Sequence, residues 1–218
     1  MLARGVSVQT QTSGKTGATF LPAVEAQRYT ECLLHDATII ETVEFVAYSF
    51  DVQGITESLA YLGSKVRILM DHSMCFGRTR RQLQAAQQLA SNGCCVRVGR
   101  GISVREAYRA RGREANVGDS VRGIIHGKSV LIRYNPALSQ EGAVCVIGST
   151  NWTDSSTANL EFSAVLHSVG EAFVEAWSDQ FAIGWASSLS LDAAIAEEDR
   201  LGYGRRSASR SASVSRGR

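Results

Sequence analysis

His126, Gly127 and Lys128, followed about twenty residues later by Gly148, Ser149, Thr150 and Asn151, are the residues of this 218-residue chain whose types and spacing suit one chemistry. A histidine and a lysine two positions apart on a strand point to the same face. The Gly-Ser-x-Asn segment adds small residues, a hydroxyl and an amide. Together they supply a nucleophile, a fixed positive charge and neutral donors, the set that attack on a phosphodiester requires. Lysine is scarce, since Lys15, Lys65 and Lys128 are the only ones in a chain well supplied with arginine. A lone His-x-Lys is weak evidence because chance produces many. The ordered pair of motifs is far more specific.

The elements that must position these residues are read from periodicity. Thr38 to Tyr48 reads as a strand region, with Val43, Phe45 and Ala47 on one face. Gly54 to Leu62 is a short helix, and Val66 to Met70 is a continuous apolar run that suits a buried strand. Thr79 to Ser91 has helical spacing through Leu83, Ala86 and Leu89, and Asn92-Gly93 stops it. Cys94 to Val98 is a further strand. Ser103 to Gly118 is Arg-rich and poor in large apolar residues, so it reads as a mobile loop or an exposed helix. Ile124 to Ile132 and Ala143 to Ile147 are expected to pair and present the motif, and Leu160 to Leu166 to add another strand. Glu171 to Ala186 reads as an amphipathic helix with Phe173, Trp177 and Phe181 turned to the core. Strand-helix alternation of this kind predicts an α/β sandwich.

The length suits one domain with a full core. No apolar run approaches the ~18 residues of a membrane-spanning helix. The five cysteines, Cys32, Cys75, Cys94, Cys95 and Cys145, form no C-x-x-C or Cys/His cluster and read as buried thiols in a reducing compartment. His35, His72 and His167 lack metal-ligand spacing, so no metal site is expected. Net charge is +2, but from Lys65 to Arg133 there are 14 Lys/Arg against 4 Asp/Glu. From Tyr134 to Gly204 Arg200 stands alone against 10 acids. A basic middle favours a polyanionic substrate or membrane headgroups. Residues 1–24, rich in Ser, Thr and Gly, read as a flexible leader with a faint likeness to a mitochondrial transit peptide. Residues 191–218 read as a linker and a disordered Ser/Arg-rich tail, which leaves 25–190 as the folded unit.

The paired motifs resemble the signature of the phospholipase D superfamily, H-x-K-x4-D followed by G-S-x-N. The single copy, with Asn151-Trp152-Thr153, resembles most the branch of mitochondrial cardiolipin hydrolase, Zucchini-type nucleases and small bacterial endonucleases. Val46 to Asp51, Lys65 to Asp71, Leu89 to Gly93 and Asn159-Leu160-Glu161 extend the likeness over roughly residues 30 to 185. The resemblance implies an α-β-α sandwich around a central mixed sheet. It implies a metal-independent phosphodiesterase without cofactor, in which His126 attacks phosphorus and forms a phosphohistidine. Lys128, Asn151, Ser149 and Gly148 would hold the phosphoryl group, and Glu161 would orient the imidazole. A second histidine is needed to protonate the leaving oxygen. With one motif per chain, the economical arrangement is a homodimer whose two His126 residues meet across one shared active site.

One position departs from the pattern: counting on from Lys128, the family's aspartate falls at Arg133. That leaves a non-catalytic basic-groove binding protein in play. The reacting group is common to lipid and nucleic acid, so the alternatives are a cardiolipin hydrolase-type phospholipase D, with peripheral membrane contact, and an endonuclease on single-stranded nucleic acid. The compartment is intracellular on this reading, with the mitochondrion as one option.

Overall fold

A computed structural model describes residues 17–114 and 122–201. In chain order its elements are β1 (Gly17–Pro22), α1 (Ala23–His35), β2 (Ile40–Ala47), α2 (Gln53–Leu62), β3 (Val66–Asp71), α3 (His72–Cys75), α4 (Arg81–Ser91), β4 (Cys95–Gly99) and α5 (Val104–Arg109). There follow β5 (Lys128–Tyr134), β6 (Ala143–Gly148), β7 (Phe162–His167), α6 (Glu171–Ala186), β8 (Leu189–Ser190) and α7 (Leu191–Leu201). The strands make one sheet in the spatial order β1-β7-β6-β5-β2-β3-β4-β8. β2, β3 and β4 run parallel, while β5 joins β2 antiparallel and β6, β7 and β1 continue antiparallel outward.

The two faces of the sheet are covered differently. Val43, Phe45 and Ala47 of β2 and Ile68 and Met70 of β3 face a large core. Leu34 of α1, Ile55, Leu59 and Leu62 of α2, Leu83, Ala86 and Leu89 of α4, and Leu191 and Ala194 of α7 close it. Their three-and-four spacing places them on one stripe of each helix. On the opposite face, Leu131, Ala143 and Cys145 meet Val174 and Trp177 of α6 in a smaller cluster. The protein is therefore an α-β-α sandwich around a mixed sheet. Gly93, at φ 87°, ends α4 in the left-handed region where glycine carries no Cβ penalty.

Five expectations need correction. Gly17 to Pro22 does not belong to a flexible leader, because it pairs in register with Phe162 to His167 as an edge strand, and α1 starts at Ala23. Leu191 to Leu201 is not linker but a helix that buries Leu191 and Ala194. The ladder of β5 begins at Lys128, not Ile124, since its pairing with β2 ends at Ala47 with Lys128. In α6 only Phe181 of the three aromatics is buried, while Trp177 is half-buried and Phe173 is exposed. Cys32 and Cys95 are exposed, and only Cys75, Cys94 and Cys145 are buried, where burial pushes their thiols up to about 12, 11 and 12. The expected leader up to residue 16, the tail from residue 202 and the 115–118 part of the Arg-rich segment lie outside the described residues.

Candidate functional site

The carboxyl ends of parallel strands, where loops diverge, are the usual place for a site in an open α/β sheet. Here the C-terminal end of β2 lies beside the N-terminal end of β5, because Ala47 pairs with Lys128. The C-terminal end of β6 lies next, then the start of β7, through Ser129 with Ile147 and Gly148 with Ser163. His126, Lys128, Gly148, Ser149, Asn151 and Glu161 thus come from three segments to one edge of the molecule.

His126 sits one step outside the ladder. Its segment is held extended by Tyr48, whose N–H donates to the Gly127 carbonyl at 2.9 Å. Gly127 has no room for a side chain, since a Cβ there would meet Val46 Cγ1 at 2.6 Å. The imidazole is exposed and lies 4.7 Å from the Tyr48 ring, centroid to centroid. Lys128 Nζ lies 4.8 Å from the same ring and donates to the His126 carbonyl at 2.9 Å. Imidazole and ammonium therefore share one aromatic support. Tyr48 is a residue that sequence reasoning placed only as part of a strand.

Lys128 is 6% exposed, so its charge is held in a poorly solvated place. Burial pushes its ammonium below the ordinary lysine value, while the negative charges of Glu161 and then Asp71 oppose that shift. An ammonium that must be charged to hold phosphoryl oxygens loses its function as pH rises through this lowered pKa. The alkaline limb of kcat/KM against pH is expected below that of an ordinary lysine. In Lys128→Arg, whatever turnover remains should lack the limb, because a guanidinium stays charged. The same limb in both proteins would assign it to another group.

The Gly148–Asn151 loop is fixed on both sides. Gly148 tolerates no Cβ, which would come within 2.4 Å of the Phe162 carbonyl and of Ser163 Oγ. Ser149 N donates to the Phe162 carbonyl at 3.0 Å, and Ser149 Oγ accepts from Phe162 N at 3.2 Å. Gln27 of α1, itself buried, donates to the main-chain carbonyls of Asn151 and Thr153. The Asn151 carboxamide oxygen is buried without a hydrogen-bond partner. Such an atom costs about 1–3 kcal/mol unless something occupies its lone pairs. Half a turn of the carboxamide puts Nδ2 in its place, so Asn151 can offer a donor or an acceptor at that point.

Glu161 is placed differently from expectation. It accepts from Asn159 Nδ2 at 2.8 Å, and its charge acts on Lys128. Among the described residues no hydrogen bond joins it to the His126 imidazole, and its negative charge acts on the lysine instead.

Arg133 lies near the other end of β5, five residues beyond Lys128, roughly 17 Å away at the rise of a strand. It pairs with Glu171 at 3.3 Å and lines a cavity of about 310 Å³ with Glu41, Tyr134 and Val174. The departure from the family aspartate is therefore remote from the histidine. His72 contacts Arg100 and Glu198, and His167 contacts Glu141.

Residues 31–185 match the family model described as cardiolipin synthase, PLD-like domain. No curated protein matches the chain. Among solved structures the fold is similar to Nuc from Salmonella typhimurium, a phospholipase D family member, with a TM-score of 0.57 and 17% identity, covering 81% of this chain and 98% of that one. It is similar also to NucT from Helicobacter pylori, with a TM-score of 0.57 and 15% identity, covering 81% and 99%.

Proposed function

Because this chain belongs to the phospholipase D-like family, we propose that it is a metal-independent phosphodiesterase working through a phosphohistidine. The observation that carries this reading is the placement of the His126 imidazole and the Lys128 ammonium on one aromatic ring, with the Gly148–Asn151 loop at the adjacent strand end. A ring nitrogen of His126 attacks phosphorus, and the bond from phosphorus to the leaving oxygen breaks. A second histidine gives that oxygen a proton. It then takes a proton from the water that attacks the phosphohistidine, which frees His126 and a phosphomonoester. Lys128 and Asn151 offset the charge that builds on the phosphoryl oxygens, and Ser149 and Gly148 line the same place.

The second histidine comes from another copy of this chain. Exposure of the His126 ring favours this. So does the uncovered part of the sheet beside it. Phe20 and Ile147 both align with Ala164, and Phe162 follows two residues away on the same face. These three side chains are 62%, 44% and 61% exposed. A copy seated there by a two-fold axis removes that apolar surface from water and brings its own His126 to the rim.

The substrate we favour is a phospholipid, in the manner of a cardiolipin hydrolase. Support comes from Ile124 and Leu160, exposed apolar residues on the segments that carry His126 and Glu161, which suit peripheral contact with a bilayer. A second reading, an endonuclease on single-stranded nucleic acid, is favoured by Arg109, Arg111 and Arg113. They are exposed at the end of α5 and on the turn after it, and the residues just before α5 are tied to the segment that leads to His126, Ser103 to Arg122 and Gly101 to Gly123. The folded unit we assign is residues 17–201, in a reducing intracellular compartment, with the mitochondrion as the organelle to examine first.

The experiment is turnover by the purified dimer in EDTA, with cardiolipin vesicles and single-stranded oligonucleotides side by side. Cleavage of the lipid is expected. Cleavage of the oligonucleotide alone would replace the lipid assignment by the nuclease one. No cleavage of either by a folded dimer would overturn the enzyme reading for both.

A further inference from the structure

We propose that Asp71 is a positioning residue that holds His126 in its reactive place. This rests on the reading of His126 as the reacting group. Asp71 closes β3 and is 1% exposed. One carboxylate oxygen, Oδ1, caps the short helix α3: it accepts from Ser73 N at 2.9 Å, from Met74 N at 3.3 Å and from the Ser73 hydroxyl. The other oxygen, Oδ2, reaches a segment 54 residues away and accepts from Ile125 N at 2.8 Å.

That second bond matters because of where it falls. The β2–β5 ladder starts at Lys128, so Ile125 and His126 lie ahead of it. Immediately before His126, the Ile125 N–H is fastened to Asp71, and immediately after it, the Gly127 carbonyl is fastened to Tyr48 N. His126 is the single residue between the two fastenings. A charge-assisted bond to a buried carboxylate is the stronger kind. Asp71 is itself kept in line by Gln82, a buried side chain that donates to the Asp71 carbonyl and accepts from Phe50 N. The carboxylate also raises the pKa of the Lys128 ammonium, so its charge is felt inside the site.

Asparagine separates the two duties of this residue. It caps helices about as well as aspartate, but only one of its two terminal atoms accepts a hydrogen bond, and the other is a donor. With Oδ1 kept by the three donors of α3, Asp71→Asn presents an NH2 to the Ile125 N–H. The reverse control is Ser73→Ala, which removes one donor from the cap and leaves the Ile125 bond untouched.

Two readouts test the proposal. In Asp71→Asn, kcat is expected to fall roughly tenfold to a hundredfold, the scale of a misplaced reacting group, with KM within about twofold. Ser73→Ala should keep kcat. Independently of any substrate, the His126 imidazole signal in an NMR spectrum should move in Asp71→Asn and stay put in Ser73→Ala. The chain has four histidines, so His126→Ala identifies that signal. An unmoved His126 signal with unchanged kcat in Asp71→Asn overturns the proposal, and so does an equal movement in both variants, which would reduce Asp71 to a helix cap. If the wild-type protein turns over neither substrate, the NMR arm still decides the role of Asp71 while the failed assay counts against the phosphodiesterase alone.

Discussion

Replacing His126 with alanine is expected to lower turnover by about four orders of magnitude or more, the scale seen when the nucleophile of a covalent mechanism is removed. The fold should not notice. The imidazole is exposed and, among the described residues, its ring contact is with Tyr48, so the stability change belongs with surface substitutions, within about 0.5 kcal/mol. The same variant tests whether two chains share one site. If each site draws one histidine from each chain, a mixed dimer is inactive. After subunit exchange between equal amounts of wild type and variant, activity then falls to about a quarter, whereas independent sites give about a half. A fall in simple proportion to the wild-type fraction would sink the shared site and leave the nucleophile standing. Retained turnover in the variant alone would sink both.

How well the chain can be read without its structure depends on whether a feature is local. β2, α2, β3, α4 and α6 are marked by spacing within their own residues and by stops such as Asn92-Gly93, and the structure places them within a residue or two of expectation. β1 is different. Gly17 to Pro22 carries little alternation, and it is a strand because β7, some 140 residues later in the chain, offers it an edge. α7 has helical spacing of its own in Leu191, Ala194 and Ile195, but it adjoins a Ser/Arg-rich tail whose composition masks it. In the site, the motif residues are legible because their order is. Their supports are not: the Tyr48 ring, the Gln27 amide and the second oxygen of Asp71 all act across long separations. Part of Asp71 could have been found, since an aspartate at a strand end two residues before a serine is a capping pattern. Arg133 shows the converse case. Its place in the motif keeps a non-catalytic binding protein in play, while the structure sets it far along β5, paired with Glu171. The motif is contiguous in spacing, but a strand carries its two ends apart.

Trp152 is where fold and site meet, and Trp152→Ala is expected to be the most destabilising of the substitutions considered. The side chain is 1% exposed and packs on Phe45 at 4.9 Å between ring centroids, tilted by 60°, while Phe45 in turn meets Phe50 edge-on at 5.5 Å. Truncating a buried tryptophan to alanine costs about 3–5 kcal/mol through lost burial and the cavity left behind. For a domain of this size that is a fall of roughly 10 °C in thermal midpoint. Its backbone adds a second consequence. Trp152 N donates to the Ser49 carbonyl, and its own carbonyl accepts from Asp51 N and Val52 N. The loop carrying Asn151 is thereby stitched to the end of β2, which supports Tyr48. A ring that no longer wedges this junction should loosen Asn151 and Tyr48 together, so turnover per folded molecule is expected to fall as well, measured well below the new midpoint. Trp152→Phe keeps an aromatic against Phe45 and loses no satisfied hydrogen bond, because the indole N–H is buried without a partner. Its loss in midpoint should be clearly smaller than that of alanine. A phenylalanine variant as unstable as the alanine one would mean that shape at this junction, and not burial, is what Trp152 contributes.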